Sequence, residues 1–311
     1  MSVLQGELSN ARGGPFAVVN GAMAEDVLVV AVPARARIER PLYVVNISTA
    51  AAAGVGGERV LSASAPRLLI ALGKGAEAEV VEEYVSAVEG ASDHAVFSVA
   101  EVVLDACASL RHGYVQRESP GSVHFKATLV DQGEGSAYSL VEARVGGGLS
   151  RHDVGVDQDG AETSTRMRHF LLAGVSQLQD LHTKLVLDHP RGEANQLHKC
   201  IVSAASGRGV FDGNVKVGAA RVCHAGLVST ACDTFCAARF ALGSLSLALS
   251  PLLSLYVCSC WWRRVRGRTH VSLCAYVCVR ACVRAYRGLC AFVHEVKRVG
   301  VEMNTEEGEK G

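Results

Sequence analysis

The chain has 311 residues, of which 49% are hydrophobic, and its 31 Lys plus Arg are balanced by 31 Asp plus Glu. That length and apolar fraction suffice to bury one large or two ordinary cores, so disorder is excluded as the default, and zero net charge gives no reason to expect a nucleic-acid partner. The balance hides an asymmetry, because residues 1–217 carry 19 basic and 25 acidic side chains whereas residues 218–311 carry 12 and 6.

Cysteine divides in the same way: Cys107 and Cys200 lie in the first part and the other nine in the second. Two cysteines in over two hundred residues fit a reducing compartment, where disulfides do not persist. The first fifteen residues hold no apolar run and include Glu7, so no secretory signal is read there, and no transit peptide is evident. The β-type wording is expected to begin almost at Met1, with residues 1–13 as an N-terminal remnant. Ala76 to Val88, AEAEVVEEYVSAV, is helical by residue propensity alone.

From Val123 onward, apolar residues alternate with period two between glycine-rich turns. Val123, Phe125, Ala127 and Leu129 are expected to share one strand face against His124, Lys126 and Thr128, before the turn at Asp131-Gln132-Gly133-Glu134-Gly135. Val141, Ala143 and Val145 form a second face before Gly146-Gly147-Gly148. Leu181, Thr183, Leu185 and Leu187 form a third, closed by His189-Pro190-Arg191-Gly192, since proline lacks the donor a strand ladder needs. Strand starts near 123, 137, 149, 163, 181, 196 and 210 predict an all-β sandwich or solenoid, and periodicity does not choose between them.

The wording of Asp188-His189-Pro190-Arg191-Gly192, Gln196-Leu197-His198-Lys199-Cys200-Ile201-Val202-Ser203 and Val210-Phe211-Asp212-Gly213-Asn214 resembles the SufD family of iron-sulfur cluster assembly proteins. Upstream, Phe16-Ala17-Val18-Val19-Asn20-Gly21-Ala22, Val32-Pro33 and Ile38-Glu39-Arg40-Pro41 resemble that family's entry into its β-domain. The resemblance covers about residues 14–217. It implies a right-handed parallel β-helix, in which Ala76–Val88 is a strand, acting as a non-catalytic scaffold beside SufB-like and SufC-like subunits. The resemblance places the ATPase chemistry on SufC and the principal cluster-bearing cysteine on SufB, so the iron-sulfur cluster belongs to the complex and no cofactor is assigned to this chain. It also places a cluster-forming histidine in a Cys-x-His-Gly phrase that this chain lacks, since Cys223-His224-Ala225 matches only in part.

After Val217 the text changes, and residues 218–311 are read as an aberrant tail, helical or without structure. Cys-Val-Arg-Ala occurs twice in succession at 278–285, which is what a TGCG tetranucleotide tract spells in any single frame. A splice-donor GT fits the Val217 codon, so residues from about 217 onward are expected to be a retained intron or a gene-model error, and the functional chain to be truncated there. That intron reading favours a plastid over a bacterial cytoplasm.

His198 and Cys200 are the sharpest chemical pair, because residues i and i+2 of a strand share a face and two soft ligands there suit iron or zinc. A tetrahedral site needs further ligands, for which His182 and His189 are the candidates. The competing reading is a buried cysteine beside a packed histidine. In the tail, Cys274, Cys278 and Cys282 are spaced for one helix face but lack the paired spacing of a zinc site. Phe240 to Trp262 carries no charge and precedes Arg263-Arg264, the pattern of a membrane span, weakened by Pro251 and five serines.

Two functions compete with the scaffold. A β-helix enzyme acting on acidic polysaccharide would use neighbouring carboxylates such as Asp153, Asp157 and Asp159, although the last two are expected in a turn. A membrane-anchored Cys-rich protein would rest wholly on the tail. Nucleotide and zinc-protease motifs are absent: Gly73-Lys74-Gly75 lacks the phosphate-loop spacing, and His294-Glu295 lacks a second histidine.

Overall fold

The computed structural model describes residues 6–49, 61–87 and 94–217, together with the backbone of Leu227–Cys236 and Gly300–Met303. Two short helices, α1 (Glu7–Arg12) and α2 (Pro15–Met23), come first. The strands that follow are β1 (Leu28–Val32), β2 (Leu42–Ser48), β3 (Ser62–Ser64), β4 (Arg67–Leu72), β5 (Glu77–Ser86), β6 (His94–Leu104), β7 (Ser109–Arg117) and β8 (Val123–Gln132). Next come β9 (Ala137–Arg144), β10 (Leu149–Gln158), β11 (Ser164–Ala173), β12 (Leu178–Leu187), β13 (Glu193–Val202) and β14 (Arg208–Val217), with β15 (Leu227–Cys236) and β16 (Gly300–Met303) beyond them.

Apart from β3 and β4, which share the first sheet, successive strands fall on alternate sheets, and every pairing is parallel. The first sheet runs β1-β4-β6-β8-β10-β12-β14-β16, with β3 also on β6, and the second runs β15-β13-β11-β9-β7-β5-β2. Val123, Leu149, Leu178 and Arg208 therefore stack in one ladder, and Ala137, Ser164, Glu193 and Leu227 in another. This is a two-sheet parallel β-helix, in which each coil supplies one strand to each sheet. Ala76–Val88 contains β5, paired with β2 and β7, because burial on a pleated surface outweighs its helix propensity.

One corner of each coil is built by a residue in the left-handed region: Arg35, Gly75, Cys107, Gly135, Glu162 and Arg191 have φ between 59° and 66°. In five of these the amide donates to a carbonyl of the next coil, as in Cys107 N–H to Glu134 O at 2.8 Å and Gly135 N–H to Ala161 O at 2.8 Å. For the four non-glycine residues this conformation costs about 1–2 kcal/mol, which the inter-coil bonds offset at Arg35, Cys107 and Glu162.

The expected alternation is present, and on β8 and β9 it is the polar face that points inward. His124, Lys126 and Thr128 point into the solenoid and are buried, as are Glu142 and Arg144, whereas Val141 is 55% exposed. Both faces of β8 are in fact covered: the inner by paired polar groups, the outer by α2, whose Ala17 packs with Val99 and Ala127. On β12 the apolar set Leu181, Thr183, Leu185 and Leu187 does face inward.

The β-type text does not begin at Met1. Phe16-Ala17-Val18-Val19-Asn20-Gly21-Ala22 is helix α2, started by Pro15, whose fixed φ suits the first helical turn. Its β-branched Val18 points to solvent, while Phe16 stacks on Phe125 with ring centroids 3.7 Å apart and Asn20 donates to Phe97 O at 2.7 Å. A second correction concerns Asp157, which lies within β10 rather than in a turn. The tail segments at 240–262 and 274–282 lie outside the described residues.

Candidate functional site

The inward residues of β5 to β13 place a row of acids, bases and tyrosines along the solenoid axis. Three buried carboxylates organise it. Glu118 accepts from Gln116 at 3.0 Å and lies 2.6 Å from His124 Nδ1 and 3.1 Å from His94 Nε2. Glu82 accepts from Lys126 Nζ at 3.0 Å through both oxygens and from the Tyr84 hydroxyl at 2.9 Å, with His112 Nε2 at 2.8 Å. Glu142 lies 2.5 Å from Arg144 Nε, 2.5 Å from His169 Nδ1 and 3.1 Å from His152 Nδ1.

Strand geometry makes this row possible, because alternate residues of parallel strands in register project at the same level into one narrow interior. Burial alone would raise all three carboxyl groups. Instead their cationic and hydrogen-bonding neighbours hold them below the usual range: Lys126 and His112 for Glu82, His124 and His94 for Glu118, and His152, Arg144 and His169 for Glu142. Lys126 also sits 5.0 Å from the centre of the Tyr114 ring and 5.2 Å from that of Tyr84, within cation–π range. The Arg144 guanidinium further donates to Ser150 O at 3.0 Å and Asp180 O at 2.9 Å. Such a network holds the coils in one register, since removing one partner leaves a buried charge exposed to about 3–5 kcal/mol of penalty.

His198 and Cys200 both lie at the end of this row and are buried. The His198 ring stacks on Phe211 at 4.6 Å and 13°, and is 6.5 Å from that of His169. Burial lowers its pKa to about 3 and raises that of the Cys200 thiol to about 11. At neutral pH the pair is a neutral imidazole and a protonated thiol, and only the thiolate binds metal well. Neither candidate partner reaches them. His182 is on the outer face of β12, 2.9 Å from Asp180 and 3.6 Å from Asp212, and His189 sits at a coil corner. Among the described residues, no group of three or more His, Cys, Asp or Glu side chains is placed to hold a metal ion.

The three aspartates do not form an open acid-base set. Asp153 pairs with Arg151 at 3.0 Å, and Arg12 of α1 bridges Asp131 and Asp157. Asp159 is raised by burial and by Asp157. The interior network was missed by sequence reading because its members are scattered over eight strands. The legible signal was polar residues at every second position of otherwise well-patterned strands, as in His124, Lys126 and Thr128.

Comparison with known proteins bears on the same region. The family model described as the SufBD core domain of SUF-system FeS cluster assembly matches residues 53–222. The chain is 42% identical over 211 residues to the Arabidopsis thaliana protein named ABCI7, chloroplastic, covering 66% of this chain and 42% of that protein. It is 30% identical over 209 residues to the iron-sulfur cluster assembly protein SufD of Escherichia coli, covering 65% and 46% respectively. A SufBD family protein of Synechocystis is also 30% identical, over 208 residues, covering 65% and 44%. The chain thus spans less than half the length of these curated relatives.

Proposed function

The chain belongs to the SufBD core family of the SUF system, and from that premise we propose that it is a non-catalytic scaffold subunit in iron-sulfur cluster assembly. The observation that carries this reading is the coincidence of the matched region, residues 53–222, with the parallel β-helix from β3 to β14. The interior charge network supports it, because its acids and bases are spent on one another and are buried away from any substrate. The cluster is cargo of the complex, held together with SufB-like and SufC-like partners, and His198 and Cys200 pack the interior in this reading. The chloroplast named for the Arabidopsis relative supports a plastid location.

Co-expression with a SufB-like and a SufC-like subunit tests the proposal. We expect the three to co-elute in size-exclusion chromatography and to accumulate the visible absorption of an iron-sulfur cluster on reconstitution. A folded chain that elutes alone, or cleavage of polygalacturonate by the purified chain, would overturn it. The family match ends at residue 222, close to the change in composition, which supports a boundary near there, although β15 and β16 beyond it are strands that pair with β13 and β14 rather than helical segments. Complementary DNA read across the Lys216 codon tests whether that segment is translated intron.

A further inference from the structure

The two sheets differ in what lies on their outer faces. On the first, α2 packs across β6 and β8, and Phe16 stacks with Phe97 and Phe125. Both described helices sit on that sheet. The outer face of the second sheet carries a comparable apolar band, and among the described residues no helix covers it. Parallel register places Val81, Gly113 and Val141 in one row and Val115, Ala143 and Phe170 in the next. Val141 is 55% exposed and Phe170 39%, and the band continues to Tyr43 at 58% and Val45 at 45% on β2.

Charge on this face is distributed unevenly. Arg111 pairs with Glu79, and Arg117 with Glu83, so the rim near β5 and β7 is internally neutralised. On β11, Arg166 and Arg168 are exposed beside Phe170, and neither has a carboxylate partner among the described residues. Two adjacent unpaired guanidinium groups next to an aromatic ring favour an occupant that brings carboxylates and apolar side chains together.

We propose that the outer face of the second sheet is a docking surface for an acidic amphipathic helix of a partner protein. A strand is disfavoured there, because the backbone groups of these inner strands are already paired within the sheet and recognition must come from side chains. The dimensions suit a helix. From β2 to β11 the band crosses four inter-strand steps, roughly 19 Å, the length of a helix of about 13 residues. Two rows of side chains also match a helix diameter of about 10–12 Å. The protein already uses this packing once, with α2 on the first sheet. The inference stands apart from the scaffold reading, since it uses only the face and its charge.

The test uses the full chain and three fluorescein-labelled peptides of equal length: a Leu/Glu amphipathic helix, its Leu/Lys counterpart, and a scrambled Leu/Glu peptide. Fluorescence anisotropy at low salt should show the Leu/Glu helix binding at least tenfold more tightly than either control. Replacing Val141→Asp with Phe170→Asp should weaken it at least tenfold. The double change Arg166→Glu and Arg168→Glu should reverse the preference toward the Leu/Lys peptide. Unaltered thermal midpoints would confirm that both variants fold, as expected for exposed positions. Equal binding of all three peptides, or binding indifferent to both variants, would overturn the proposal. So would a dimer in sedimentation analysis that V141D dissolves, since a second copy would then be the occupant.

Discussion

Cys200 and Gly209 face one another across the interior between β13 and β14, and a Cβ at 209 would fall inside the contact radius of the Cys200 sulfur. Gly209→Ala should therefore cost about 1–3 kcal/mol by overpacking. Combining it with Cys200→Ala should recover much of that loss, because neighbouring sites are not additive. Urea denaturation of the two single variants and the double variant checks this, and full additivity would show that the two side chains do not meet. Glu142 offers a larger effect. Glu142→Ala leaves Arg144 buried without its ion pair, with an expected cost of about 3–5 kcal/mol in the same assay. At this scale the sequence was readable only in part. The two-residue spacing placed His198 and Cys200 on one face, but which coil faces them depends on the register of strands thirty residues away.

At the scale of elements, the N-terminal segment is a strap across four consecutive strands of the first sheet. The Glu101 carboxylate accepts the amides of Gly6 at 2.8 Å and Ser9 at 2.7 Å, capping α1 from a distant strand. Arg67 donates to the Ser9 hydroxyl at 2.7 Å, Arg12 reaches Asp131 on β8 and Asp157 on β10, and Phe16 lies on Phe125. Six residues cannot hold a helix in water by themselves, so α1 depends on these contacts. Glu101→Ala should accelerate amide hydrogen exchange over residues 7–23 by roughly tenfold or more while β6 and β8 keep their protection. Equal acceleration throughout would mean that the strap is no separate unit. This strap was hidden from sequence reading because Val18 and Val19 look strand-like and the residues that hold the helix are some ninety positions away. The coil strands were legible, since their alternation and corner turns are local, and so was β5 once the family wording overrode its helix propensity.

For the whole molecule, the buried charges set a direction for its response to acid. Glu82, Glu118 and Glu142 are held below the ordinary carboxylate range despite burial that would raise them. The unfolded chain then binds protons more readily than the fold near pH 4.5, and stability falls as pH drops through that region. His152 and His198 act earlier. Burial lowers them to about 4 and about 3, whereas an unfolded histidine titrates near 6.5. Between about pH 6.5 and those values the unfolded chain takes up protons that the fold refuses, so stability already declines from about pH 6.5. Both sets of groups pull the same way, and the solenoid should be most stable near neutrality. Guanidinium midpoints measured from pH 7.5 down to pH 4 should fall continuously, with the first part of the fall due to histidine. His198→Leu, which keeps an apolar neighbour for Phe211, should flatten the limb between about pH 6.5 and pH 4.5 while leaving the steeper carboxylate limb below it. An unchanged slope in that upper window would mean that His198 is already protonated in the folded protein. Its stacking on Phe211 would then hold an imidazolium in place, and the inner end of the row would carry a charge that burial here argues against.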